Sequence, residues 1–119
     1  MTFRWIICLS FAYLVGSMPF GVIIGRLKGV DIREHGSKNI GASNVGRVLG
    51  KRFGILCFFL DALKGALPVF LAGLLNHLYA DPWSLSAAQL SLWFAVAVAS
   101  VLGHMFSIFL RMKGGKGVA

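Results

Sequence analysis

Acidic residues are nearly missing from this chain: four Asp and Glu stand against 12 Lys and Arg in 119 residues, a formal net charge of +8. A basic balance can mean nucleic acid, but the distribution argues against that here. Arg26, Lys28, Arg33, Lys38, Arg47, Lys51 and Arg52 gather in or beside one stretch, and Arg111, Lys113 and Lys116 in a second. Residues 76–85 hold neither Lys nor Arg, and the N-terminus has only Arg4. Cysteine is scarce too. Cys8 and Cys57 lie in apolar stretches without metal or redox spacing, so both read as packing residues. The three histidines, His35, His77 and His104, are far apart and form no zinc pattern. No Gly-x-Ser-x-Gly nucleophile elbow is present. The glycines at 114–117 are no nucleotide loop either, because Gly117 follows Lys116 where Ser or Thr is needed.

Apolar residues are plentiful: 57% of the chain, with a mean hydropathy of +0.78. Residues 5–27, 53–75 and 87–110 each reach the roughly 20 apolar residues that cross a bilayer. Open backbone cannot sit unpaired in lipid, so the fold class is an all-α, polytopic integral membrane protein with three transmembrane helices. The clustered basic residues follow the positive-inside pattern. They put the N-terminus outside, residues 28–52 inside, residues 76–85 outside and the C-terminus inside. Much of that charge serves topology and attraction to anionic headgroups. A cleaved signal peptide fits the first span poorly, since its stronger basic flank follows the apolar run and no small-x-small cleavage pattern appears. Pro19 should kink or open this first helix. Gly21 and Gly25 form a small-xxx-small pair that permits close helix packing.

The inner stretch 28–52 is too long for a simple turn and carries no clear regular structure, although 44–49 can begin a helix leading into the second span. Its glycine-rich segment and the Gly114-Gly115-Lys116-Gly117 segment are two candidate anion loops on one side of the membrane, since glycine lets backbone N–H groups crowd around an anion. Asp61 and Lys64 sit three apart inside the second span, so they share a helix face. They form either a polar wall of a site or an internal ion pair. His104, inside the third span, is either a packed, hydrogen-bonded residue or a site residue near the second loop. His77 and Asp81 are one residue short of the His-x-x-x-x-Asp spacing of soluble-facing glycerolipid acyltransferases, and they fall on the other side of the membrane.

An ordered set of motifs carries a resemblance. Gly16-Ser17-Met18-Pro19-Phe20-Gly21, Asp31-Ile32-Arg33, the segment from Gly36-Ser37-Lys38-Asn39 through Asn44-Val45-Gly46-Arg47, Asp61-Ala62-Leu63-Lys64-Gly65, Gly103-His104-Met105-Phe106 and Lys113-Gly114-Gly115-Lys116-Gly117-Val118-Ala119 follow in sequence. The chain resembles the bacterial membrane acyl-phosphate:glycerol-3-phosphate acyltransferases of the PlsY type. That resemblance implies transfer of an acyl group from acyl phosphate to the 1-hydroxyl of glycerol 3-phosphate in the cytoplasmic membrane, in contact with lipid. It implies no cofactor and no metal. It makes Ser37, Asn44, Arg47 and Lys116 the catalytic candidates and Asn39, Gly41, His104, Gly114, Gly115 and Gly117 the substrate-binding ones. Lys38 stands where this family commonly has Gly, Ser43 where it has Thr, and Ser107 where it has Pro. The family continues beyond this sequence with further helices and a third motif, so the expectation is a single membrane domain over 1–119, incomplete at its C-terminus and inactive alone. The competing expectation is a small oligomeric transporter or channel subunit using Asp61.

Overall fold

The structure, a computed structural model, describes residues 3–110. Its elements are helices α1 (Phe3–Gly16), α2 (Phe20–Leu27), α3 (Ala42–Leu49), α4 (Lys51–Leu75) and α5 (Ala87–Met105), with short 3-10 turns at Ile32–Glu34, Pro82–Ser84 and Ile108–Leu110. Three stretches are long and apolar enough to cross a membrane: Phe3–Leu27, Lys51–Leu75 and Ala87–Leu110. They alternate in direction. Residues 28–50 and 106–110 therefore gather at one end, the loop end, and residues 76–86 join the N-terminus at the other. Phe58, Phe59, Phe70 and Phe94 point away from the protein, the arrangement expected where hydrocarbon rather than water surrounds the helices.

The first span is broken where proline predicts. Pro19 offers no N–H and its ring crowds the carbonyl four residues back. The Met18 N–H bonds the Val15 carbonyl at 3.1 Å instead, and the helix restarts with Ile23 N–H on the Pro19 carbonyl at 2.9 Å. Two helices end in the same way. After α2, Gly29 at φ +76° lets the Val30 N–H reach the Gly25 carbonyl at 2.9 Å. After α4, His77 takes φ +57° and the Leu78 N–H reaches the Gly73 carbonyl at 2.9 Å. This left-handed cap closes the last carbonyls and tucks the following apolar residue inward; Leu78 is fully buried. α5 starts from a capping box, in which the Gln89 N–H bonds Ser86 Oγ at 3.1 Å and the Ser86 N–H bonds Gln89 Oε1 at 2.9 Å.

Residues 28–50 differ from their expected irregularity. They hold a 3-10 turn and the separate helix α3, which does not run into α4. Gly50 at φ +108° turns the chain between them, and α3 folds back on α4. A Cβ on Gly54 would lie 2.7 Å from Gly46 Cα, so the two backbones touch directly. Gly21 and Gly25 also pack against this stretch rather than against another span. A Cβ on Gly21 would meet the Ile40 backbone, and one on Gly25 would lie 2.8 Å from the Val30 carbonyl oxygen and 2.9 Å from Ile32 Cγ2.

Two apolar cores result. One, at the loop end, joins Val22, Ile24, Ile32, Ile40, Val45 and Cys57. The other joins Trp5, Cys8, Ala12, Ala72, Leu78 and Val96. Between them lies a polar layer at the break in the first span.

Candidate functional site

Asn44 organises the loop end. It is 1% exposed and one turn into α3. Its Nδ2 donates to the carbonyls of Ile32 at 3.0 Å, His35 at 3.1 Å and Asn39 at 2.8 Å. Its Oδ1 accepts from the Ser37 N–H at 2.9 Å. A carboxamide has two N–H donors, so one of them is shared between two carbonyls. One side chain thus gathers the backbone of residues 32–39. Gly36 at φ +56° makes this possible, because a Cβ there would run into Asn44 Oδ1. Asp31 starts the 3-10 turn by accepting from the Arg33 N–H at 3.1 Å, and Arg33 returns a two-point contact to the same carboxylate at 3.0 Å each. Those bonds hold the Asp31 carboxyl down at about 2.

Ser37 and Arg47 are exposed on this frame, Asn39 is half-buried and Gly41 is buried as the residue before α3. Ser37 Oγ accepts from the Asn39 N–H at 3.4 Å. Ser37 and Asn39 are thus brought together with Asn44. Arg47 follows Asn44 by one helical turn. Gly114, Gly115, Lys116 and Gly117 lie outside the described residues.

His104 is placed elsewhere, in the polar layer. Lys64, 5% exposed, extends its Nζ to three acceptors: the Met18 carbonyl at 2.8 Å, His104 Nδ1 at 3.1 Å and Asp61 Oδ1 at 3.1 Å. A nitrogen that faces an ammonium accepts, so the neutral ring carries its proton on Nε2. The Cys57 thiol donates to Asp61 Oδ2 at 3.5 Å. Asp61 and Lys64 therefore form an internal ion pair whose ammonium is fully used. Removing one partner of such a pair costs about 3–5 kcal/mol. Ser107 acts beside it: its hydroxyl donates to the Ser17 carbonyl at 2.6 Å, and the Tyr13 hydroxyl donates to the Phe106 carbonyl at 2.6 Å. The carbonyls of the broken span are thus met by side chains from α4 and from the segment after α5.

The family model for glycerol-3-phosphate acyltransferase matches residues 6–119. The chain belongs to this family. The glycerol-3-phosphate acyltransferase of Aquifex aeolicus is 51% identical over 109 residues, covering 92% of this chain and 52% of the relative. That of Geobacter sulfurreducens is 48% identical over 114 residues, covering 96% and 53%. The crystal structure of PlsY (YgiH), an integral membrane glycerol 3-phosphate acyltransferase, in its glycerol 3-phosphate form superposes with a TM-score of 0.79 at 46% identity, covering 95% of this chain and 52% of that one. Its lysophosphatidic acid form gives 0.77 at 45%, covering 95% and 50%. The chain spans about half the length of the curated relatives it matches.

Lys38 and Ser107 acquire physical meaning from the structure. Lys38 sits at φ +63°, a conformation that costs an L-residue roughly 1–2 kcal/mol. Lys38→Gly is expected to stabilise the protein by about 1 kcal/mol, read as a raised unfolding temperature in detergent; no gain would mean the lysine side chain offsets its own strain. Ser107 supplies the hydroxyl on the Ser17 carbonyl. Neither that role nor the Met18 carbonyl could be read in advance, since a backbone acceptor is not written in residue type. The spacing of Asp61 and Lys64 allowed a pair as one of two readings, and the structure shows the pair.

Proposed function

We propose that this chain forms part of an acyltransferase that moves an acyl group from acyl phosphate to the 1-hydroxyl of glycerol 3-phosphate, making lysophosphatidic acid. Its support is family membership together with one structural observation: an inner loop fixed through Asn44 that leaves Ser37 and Arg47 exposed. Fixed presentation of polar groups is what an activated donor needs, because positioning and charge stabilisation then carry most of the acceleration. The loop end faces the cytoplasm in this reading, on the side that the basic residues mark.

The chemistry is a single displacement. The 1-hydroxyl oxygen attacks the acyl carbon, the bond from that carbon to the phosphate oxygen breaks, and inorganic phosphate leaves with the electron pair. The hydroxyl proton passes to a phosphate oxygen of the substrate. Arg47 forks onto a phosphate, and Ser37 orients the hydroxyl or the acyl carbonyl. Lys116 adds a compact charge to the glycerol 3-phosphate phosphate, with the N–H groups of Gly114, Gly115 and Gly117 around it. Asn44 acts here by holding the loop, with Asn39 and Gly41 as parts of its wall. His104 belongs to the frame below. Transport through Asp61 gains nothing from the geometry, because that carboxylate is tied to Lys64 and Cys57.

The test joins residues 1–119 to the C-terminal half of the Aquifex aeolicus relative and measures lysophosphatidic acid formed in membranes from acyl phosphate and glycerol 3-phosphate. Activity is expected. Arg47→Ala should lower kcat/KM by about 100-fold, roughly 2.7 kcal/mol of transition-state stabilisation, and Lys116→Ala should raise the KM for glycerol 3-phosphate at least about tenfold. An inserted, folded fusion without activity, or an Arg47→Ala fusion as active as its parent, would overturn the reading.

A further inference from the structure

The polar layer contains two groups that the acyl-transfer chemistry does not use, yet both act on adjacent backbone carbonyls at one place. The break at Pro19 strips two carbonyls of regular helical partners. Lys64 Nζ takes the Met18 carbonyl at 2.8 Å, and Ser107 Oγ takes the Ser17 carbonyl at 2.6 Å. Both side chains are buried, at 5% and 1% exposure. They come from different elements, α4 and the segment after α5, so they join all three spans at the break. The Met18 carbonyl also takes the Phe20 N–H at 3.0 Å, so Lys64 adds a charged donor to a carbonyl outside the regular helical ladder, while the Ser17 carbonyl depends on Ser107. A buried carbonyl left without a partner at that depth is costly.

The consequence runs along the chain in both directions. α2 starts immediately after the break. Its Gly21 and Gly25 carry the backbone of Ile40, Val30 and Ile32 against them, and the Ile32 carbonyl is one of the three that Asn44 collects. The direction of α2 therefore sets where the loop bearing Ser37 and Arg47 stands. On the other side, Lys64 also holds His104 on α5 at 3.1 Å. Ser107 lies between His104 and the segment that leads to Lys116.

We propose that Lys64 and Ser107 are positioning residues of the acyl-transfer site: together they clamp the broken first span and so fix the inner loop relative to the end of the third span. This rests on the function proposed above, and neither residue touches substrate. A purely structural role would lower stability throughout the protein. A positioning role loosens the loop and slows transfer while the spans stay folded.

The experiment uses the fusion to the Aquifex aeolicus C-terminal half, in nanodiscs. The Asp61→Asn, Lys64→Gln double variant removes both charges together and so leaves no uncompensated ion. Ser107→Ala removes the second bond and buries no charge. For each we measure the unfolding temperature, the hydrogen exchange of backbone amides 36–44, and kcat/KM for lysophosphatidic acid formation. The expected result is exchange at least about tenfold faster in 36–44, unchanged exchange in the middle of α4 and α5, and kcat/KM reduced at least about tenfold. Should the double variant lose its fold, Ser107→Ala decides alone. Exchange in 36–44 at the parent rate overturns the proposal, as does a loss of protection spread evenly over all three spans. If the parent fusion makes no lysophosphatidic acid while the variants still show the loop-confined change, the clamp stands and the proposed reaction falls instead.

Discussion

Replacing Asn44 by leucine is expected to destabilise the protein by about 3 kcal/mol and to abolish acyl transfer in the fusion with the Aquifex aeolicus half. The side chain is nearly isosteric, so no large cavity opens. The loss is in bonding: the carbonyls of Ile32, His35 and Asn39 and the Ser37 N–H lose their common partner. A buried group left without a partner costs about 1–3 kcal/mol. The Ile32 carbonyl bears most of that, since Ile32 is fully buried, whereas His35 and Ser37 are exposed and recover water. Asn44→Asp should fare no better, because it keeps an acceptor for Ser37 but turns a carboxylate oxygen toward three carbonyls. The measurement is unfolding temperature together with hydrogen exchange at Ser37. A variant that lost transfer while keeping Ser37 protected and its unfolding temperature unchanged would make Asn44 a group that acts on substrate rather than on the loop.

What the sequence made legible follows from how far each signal reaches. A span announces itself because a continuous apolar run must exceed the hydrocarbon thickness, and residues 5–27, 53–75 and 87–110 do. The break is visible because proline acts on its own neighbours. That Asp61 and Lys64 share a face is visible because both lie on one helix, although the sequence left open whether they pair or line a site. α3 is not visible as a separate unit. It is eight residues of mixed polarity, too short for periodicity to declare it, and its end depends on one glycine, Gly50. Partners across the fold are hidden for a different reason. Asn44 and Ser107 are residue types that must bond something when buried, but what they bond is backbone, and any residue has backbone. His104 could be placed in the third span but not beside Lys64, because that contact depends on how α4 and α5 pack. The resemblance marked segments as candidates for a site, while which side chains hold the loop came from the hydrogen bonds.

Gly103→Ala is the second large expected effect, and its control is Gly65→Ala. Both replace glycine by alanine inside a long helix, where alanine is ordinarily better by roughly 0.5–1 kcal/mol. At Gly65 a Cβ meets nothing within 4 Å, so that gain should appear. At Gly103 the new Cβ would press on the Tyr13 carbonyl oxygen and lie 2.8 Å from the Ser17 nitrogen and 3.0 Å from the Gly16 carbonyl carbon. All three are backbone atoms of the first span, and backbone cannot step aside as a side chain can. α5 must then shift outward, which strains the Tyr13 bond to the Phe106 carbonyl and the Ser107 bond to the Ser17 carbonyl, both at 2.6 Å. We expect a loss of about 3 kcal/mol, at the upper end of what overpacking costs. Unfolding temperatures of the two variants in the same detergent should move in opposite directions. If Gly103→Ala matched Gly65→Ala, the first and third spans would not approach as closely as the structure places them, and the clamp at Pro19 would lose its geometric basis.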